Sequence, residues 1–464
     1  MNAEPCDLLV TAASVVTLDR ADAIHAPGGI AVRGDRIVAT GPAEVVAGRY
    51  AATKRIDAPA CHAFPGLINT HNHLWQTMLK GLGDDMPLIE WIERLLVPTM
   101  PLLDDETCYL GAALGALEAA RSGCTTTLDF MHHIPTTSAY DAAFRAFEEI
   151  GGNLVLGRAL RDRLKDDAVL DPNDLTLDQQ LAHVRELADR YGRDRVWLAP
   201  STVWGMTEAG LKRVRALADE TGLRITIHMN EVAFDSEESQ RRFNLRSLPY
   251  LDSIGFLKAD VLHAHCVWLD AEDVRLLAKH GGAVSYNPIS NMYLGSGIPP
   301  IPALREAGVR LSLATDGAAS NNSQDMIEAL KFGALLQKAG QRDPTTVTAR
   351  EILSMATAGG ADALGRADLG RIAPGMRADF FLFDPRHPKS VPLHDPISTL
   401  VYSGGQANVV TTVAAGRVVL EDGRFTEVDE AALLARAQAV AEDLARRAGA
   451  DALVRRRRAT AHHR

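Results

Sequence analysis

Residues 64–73 read FPGLINTHNH: a Pro-Gly pair, a short apolar run and two histidines one residue apart. In a strand, side chains alternate between faces, so His71 and His73 project to the same side and suit one metal ion. Seven further short apolar runs follow: CTTTLDF (124–130), NLVLGRA (153–159), RVWLAP (195–200), RITIH (224–228), DVLHAH (260–265), GAVSYN (282–287) and RLSLAT (310–315). Between them lie stretches with apolar residues three and four apart, such as ETCYLGAALGALEAARSG (106–123) and EAGLKRVRALADETG (208–222), the latter with Thr207 placed to cap it. Strands alternating with helices make a parallel sheet covered by helices, and eight units between residues 64 and 315 have the length of one (β/α)8 TIM-like barrel. A doubly wound open sheet is the structural alternative.

Outside this region the pattern changes. DLLVTAASVVTLD (7–19) and GGIAVRGDRIVATG (28–41) read as β segments, with Gly34-Asp35 at a hairpin turn. The pattern returns in RIAPGMRADFFLFD (371–384) and NVVTTVAAGRVVLEDGRF (408–425), so both chain ends are expected to build one small β-sandwich domain. The expected division is 1–62 and 371–428 for that domain, 63–370 for the barrel, and 429–464 for a C-terminal surface helix and tail.

The chain has 464 residues, 46% hydrophobic and 23% charged, enough apolar material for a large core and too much for general disorder. A formal charge of −10 argues against a row of phosphates as partner, so no nucleic acid is expected. The basic run Arg455–Arg458, beside His462 and His463, reads as a solvated tail. Five scattered cysteines without a CxxC pair argue against a disulfide framework and against a thiolate zinc site. With no leader-like segment at residues 1–10 and no run of 18 apolar residues, a cytoplasmic protein with no membrane partner is expected.

The chemistry gathers at strand ends. His71 and His73 close the first run, His228 and Glu231 the fifth (HMNE), His265 the sixth (HAHC), and Asp316 follows the eighth (TDG). In a barrel the carboxyl ends of the strands meet at one rim, so these groups converge. Taken singly, His228 and His265 could be satisfied core histidines and Asp316 a helix cap; jointly they would bury several ionisable groups without purpose, which is costly.

The ordered motifs PGLINTHNH, HMNE, HAHC, SYNPISNMYLGSGIPPI and ATDGAASNNSQDM resemble the amidohydrolase superfamily, in its cytosine-deaminase and chlorohydrolase-like branch. The densest stretch, 263–338, is similar to adenosine, S-adenosylhomocysteine and 8-oxoguanine deaminases. The resemblance implies His71, His73, His228 and Asp316 as ligands of one divalent ion, zinc or else ferrous iron. It implies a single ion because VWLAPSTVWG (196–205) has no lysine to bridge two. Coordination lowers the pKa of water toward about 7 and supplies hydroxide. Asp316 would take the proton and pass it to ammonia, Glu231 would protonate the ring nitrogen, and His265 would hold the attacking oxygen.

For the substrate, HLWQTMLKGLGDDMPLIEWI (73–92) offers Trp75, Gln76 and Trp91 with Asp84 and Asp85. The indoles suit a flat ring or loop packing; Gln76 suits an amide edge. Asp84 falls near the acid that holds ribose in nucleoside deaminases of this branch. The arginine-bearing segment linked to the tail of S-adenosylhomocysteine is not recognisable in GRALRDRLKDD (157–167), although Arg158 and Arg161 stand there. SQRRFNLRSLPYLDSIGFL (239–257) is closer to 8-oxoguanine and triazine hydrolases and tilts the reading toward a free base. Trp204 is a further candidate for the wall, as is Trp268, which replaces the last histidine of the branch's frequent HCVH. His132 and His133 receive no role.

The resulting expectation is a hydrolytic deaminase of an aminated N-heterocycle in purine or triazine metabolism, a homo-oligomer of two or four chains. The alternatives are an s-triazine hydrolase releasing chloride or alkylamine, and, from another class, a catalytically inactive barrel that only binds.

Overall fold

The N-terminal strands β1 (Glu4–Val16), β2 (Ile24–His25), β3 (Gly28–Arg33), β4 (Arg36–Pro42) and β5 (Tyr50–Pro65) lead into the barrel strand β6 (Leu67–Asn72) across a single glycine. A side chain at Gly66 would sit 2.2 Å from Thr125 Oγ1, so the close crossing leaves no room for a Cβ. The barrel continues with β7 (Cys124–Met131), β8 (Asn153–Leu160), β9 (Val196–Pro200), β10 (Ile225–Met229), β11 (Val261–His265), β12 (Ala283–Tyr286) and β13 (Arg310–Leu313). β14 (Phe380–Phe383), β15 (Val409–Ala414), β16 (Arg417–Glu421) and β17 (Arg424–Phe425) return to the first sheet. The computed structural model describes residues 3–132, 134, 136–163 and 175–454; His133 and the tail bearing Arg455–Arg458, His462 and His463 lie outside the described residues.

β6 to β13 form one eight-stranded sheet in sequence order, every pair parallel, with helices between. The expected barrel is present and the open sheet is not, because the first and last strands meet. They meet by side chains: Asn69 Nδ2 donates to Thr315 Oγ1 at 2.7 Å, and Thr70 Oγ1 lies 2.8 Å from both Ser285 Oγ and Ser312 Oγ. At the carboxyl rim Asp316 N–H donates to the His71 carbonyl at 3.1 Å. These hydroxyls and amides are buried and satisfy one another where a regular ladder is lacking.

The chain ends build one small β domain together, as expected. Its strands are hydrogen-bonded as a single mixed sheet in the order β17-β16-β15-β14-β5-β1-β3-β4, with β2 beside β1. The physical reason is the 16-residue β5, which pairs in parallel with β1 and antiparallel with β14 and so joins both chain ends. Leu8, Val10, Ile30 and Val32 share a core with Phe380, Leu382 and Val413. The larger cluster around the barrel includes Phe64, Phe381 and Phe383, which tie this sheet to the helical layer.

Thr207 caps its helix by accepting the Gly210 N–H at 3.0 Å, as the sequence suggests. Among the described residues no helix is long and apolar enough to cross a membrane.

Candidate metal centre and active site

Four histidines and two carboxylates from the ends of four barrel strands meet at the rim. His73 Nε2 lies 3.2 Å from Asp316 Oδ1 and 3.3 Å from His228 Nε2, and His71 Nε2 lies 3.5 Å from Asp316 Oδ1. His265 Nε2 stands 4.0 Å from Asp316 Oδ2 and 3.5 Å from Glu231 Oε2. Two overlapping triads, His71–His73–Asp316 and His71–His228–His265, have ligand atoms within 4.8 Å of one another.

Second bonds orient three of the rings. His73 Nδ1 is 2.7 Å from the Phe130 carbonyl, His228 Nδ1 is 2.8 Å from the Ser201 carbonyl, and His265 Nδ1 is 3.0 Å from Asn291 Oδ1. A carbonyl oxygen only accepts, so Nδ1 of His73 and His228 carries hydrogen and Nε2 offers its lone pair inward, the arrangement of ligating histidines. Asp316 is held by the Gly317 N–H at 2.7 Å and by Ser290 Oγ at 2.5 Å. The backbone bends sharply to make this possible: Asn230, His265 and Asp316, each just past or at a strand end, take φ of 46°, 73° and 65°. Left-handed backbone is unfavourable for side-chain-bearing residues and gathers where a site requires it.

The electrostatics favour a cation. Burial pushes the His71 pKa down to about 4 and His228 well below the usual range, so both imidazoles are neutral at pH 7. Burial alone would raise the Asp316 pKa, but its close contacts with His71 and His73 outweigh it and hold the carboxylate ionised. Neutral imidazoles around one anion suit zinc or ferrous iron. His71 makes the case sharpest: it is fully buried and, among the described residues, neither ring nitrogen has a hydrogen-bond partner, an orphan that a metal bond would satisfy.

Glu231 completes the base of the site. Burial raises its pKa to about 7, against the attraction of His265. Burial would depress His265, but Glu231 and Asp316 outweigh it and raise its pKa. Asp235, which the sequence reading passed over, fixes this corner: its Oδ2 accepts the N–H groups of Glu231 (2.8 Å) and Val232 (3.2 Å), and its Oδ1 accepts Trp204 Nε1–H (2.8 Å). The available signal was an acid four residues after Glu231 opening the helix Ala233–Phe243, where a carboxylate satisfies orphan N–H groups.

Above these groups opens a cavity of about 250 Å³. Leu88, Ile89, Ile92, Leu96, Val97 and Met100 make one apolar wall, from the helical segment after the first strand. Gln76, Trp91 and Trp204 line the cavity, as do Arg161 and the previously unassigned His132. Among the described residues the wall does not include Trp75, Asp84 or Trp268. Trp75 is buried and gives its indole N–H to His132 Nδ1. Asp84 accepts hydrogen bonds from the Tyr293 hydroxyl and from Asn322 Nδ2. Trp268 is 53% exposed and gives its N–H to the Ser296 carbonyl. Arg158 is buried beside Tyr140 and Gln180, in the layer outside the barrel.

Residues 63–419 match the amidohydrolase family. The 5'-deoxyadenosine deaminase of Methanopyrus kandleri is 38% identical over 82% of this chain and 86% of its own. The 5-methylthioadenosine/S-adenosylhomocysteine deaminase of Nitratidesulfovibrio vulgaris is 36% identical over 93% of this chain and 96% of its own. Among solved structures, a zinc-bound adenosine deaminase from Xanthomonas campestris superposes with a TM-score of 0.90, 30% identity and 96% and 99% coverage. A zinc-bound atrazine chlorohydrolase from Arthrobacter aurescens superposes with a TM-score of 0.87 at 24% identity, over 94% and 100% of the two chains, a likeness of fold alone.

Proposed function

Because the chain belongs to the amidohydrolase family, we propose that it is a hydrolytic deaminase of a 6-aminopurine nucleoside altered at its 5′ position, yielding the 6-oxo nucleoside and ammonia. The observation that carries this reading is the pairing of Glu231 with His265 and Asp316 beside the histidine cluster, since it supplies every proton transfer that ring deamination needs. The substrate class follows the relatives, named for 5'-deoxyadenosine, 5-methylthioadenosine and S-adenosylhomocysteine, and the apolar wall suits a small uncharged 5′ group. It replaces the expected tilt toward a free base.

His71, His73, His228 and Asp316 would hold the divalent ion, zinc by preference. When bound, such an ion acidifies water toward neutral pH. Asp316 takes the proton released as the attacking oxygen forms its bond and later delivers it to the departing amine. Glu231, with a pKa of about 7, gives a proton to the ring nitrogen next to the attacked carbon and relieves the charge that addition creates. His265 donates from Nε2 toward the attacking oxygen, and Asn291 keeps its ring in that orientation.

Five buried cysteines, none in a disulfide, support a cytoplasmic protein, and exposed Trp268, Met292, Ile298, Phe332 and Leu335 support a homo-oligomer of two or four chains, which light scattering checks. The test of function is ammonia release by the zinc-loaded protein from 5′-deoxyadenosine, 5′-methylthioadenosine, S-adenosylhomocysteine, adenosine and adenine, with atrazine as the chloride-releasing control. One ammonia per nucleoside is expected; no ammonia from any of them would overturn the reading.

A further inference from the structure

Two polar groups in the cavity take no part in the proton transfers above. Gln76 is wholly buried and lines the cavity, yet among the described residues neither its Oε1 nor its Nε2 has a hydrogen-bond partner. It stands on the turn Leu74–Leu79 after β6, with its own N–H given to the His73 carbonyl at 2.9 Å. Its amide is pressed so closely on Gly317 that a Cβ there would lie 1.9 Å from Oε1. A buried primary amide with one acceptor and two donors unanswered has lost the hydration of all three.

His132 is the second group. An indole N–H only donates, so the 3.3 Å contact from Trp75 Nε1 makes His132 Nδ1 the acceptor and leaves the hydrogen of the neutral ring on Nε2. The Tyr140 hydroxyl donates to the His132 carbonyl at 3.0 Å and fixes the backbone there. Among the described residues Nε2–H has no partner, and the ring borders the cavity.

We infer that Gln76 and His132 form a recognition edge that selects substrates presenting an acceptor ring nitrogen next to an N–H or O–H donor. This rests on the reading of the site as an aminopurine deaminase. Gln76 Nε2 and His132 Nε2 supply donors, which the acceptor nitrogens of a purine answer. Gln76 Oε1 requires a donor, and an N9-substituted purine ring has none on that side. On a ribonucleoside the 2′-hydroxyl beside N3 provides it; on a free base the N9–H does. A ligand with neither leaves the buried acceptor unmet.

The test is calorimetric binding of four products to the zinc-loaded full chain: inosine, 2′-deoxyinosine, hypoxanthine and 9-methylhypoxanthine. Where the 2′-hydroxyl is the donor, inosine binds about tenfold or more tighter than 2′-deoxyinosine; where N9–H is, hypoxanthine exceeds 9-methylhypoxanthine by a like factor. Gln76→Leu closes whichever gap is found. His132→Phe, which keeps a ring and removes the donor, weakens the preferred ligand by a comparable factor. Equal affinities within both pairs, or a gap that survives in Gln76→Leu, would overturn the inference. The wild-type series needs no variant. Selective binding without ammonia release from the matching amino compounds would instead overturn the proposed reaction and leave the recognition edge standing.

Discussion

Replacing Gly317 by alanine tests the packing behind the site with a single methyl group. The new Cβ would lie 1.9 Å from Gln76 Oε1 and 3.0 Å from His73 Cβ, where ordinary contact begins at 3.4 Å. The amide of Gln76 must therefore move by about 1.5 Å. The buried surroundings leave it little room, and displacements of about 1 Å in a positioned group cost on the order of 10²-fold. The expectation for Gly317→Ala is a fall in kcat/KM of roughly ten- to a hundredfold, with zinc still bound at one per chain. Overpacking should also lower stability by about 1–3 kcal/mol. The assay is steady-state ammonia release with metal analysis on the same preparation, repeated in a Gln76→Ala background. There the clash with the amide is gone and only the 3.0 Å contact with His73 Cβ remains, so the alanine should cost less than threefold, a non-additivity that measures the contact with Gln76. Unchanged kcat/KM in the single variant, or the same loss in both backgrounds, would refute the reasoning.

Glu231→Gln keeps the shape and removes the titratable proton; kcat should fall by about 10²–10⁴-fold while zinc content and product affinity hold, read by stopped assays beside calorimetry. A strong chelator should abolish turnover and lower the thermal midpoint, and zinc at a thousandfold excess over its Kd should restore up to about 4 kcal/mol of stability, followed by scanning calorimetry. Asp379, buried between Asn153 of the barrel and the Ala415 N–H of the end sheet, has a pKa raised by burial from 3.8 to about 6. Because the folded state binds this proton more tightly than the unfolded one, its contribution is full below pH 4 and is lost as pH rises through about 6. Asp379→Asn should thus gain about 1–3 kcal/mol on wild type between pH 4 and 7, measured by denaturant titration; a pH-independent difference would contradict the assignment.

Much of this architecture was legible because its signals are local. Each barrel strand is a short apolar run, and His71, His228 and His265 sit where such runs end, so convergence at the rim follows from the fold class alone. The single sheet of the end domain was not legible, since β5 reveals only in three dimensions that it pairs on both edges. The cavity wall was read least well. Trp75, Trp204 and Trp268 are alike in sequence, but their N–H groups go to His132, Asp235 and Ser296, and those long-range bonds decide which indole faces the ligand. His132 was left without a role and Asp235 was passed over for the same reason: the indoles they accept from, Trp75 and Trp204, follow other strands.

The seam of the barrel has a consequence for when the protein becomes an enzyme. His71 belongs to the first strand and Asp316 to the turn after the last, and the bond between the His71 carbonyl and the Asp316 N–H joins the ring exactly where their side chains face one another. A chain emerging from the ribosome carries its histidine pair early but lacks the aspartate until the eighth strand has been made and docked. Partial chains are thereby denied a complete set of ligands, and hydrolytic competence arrives only with closure.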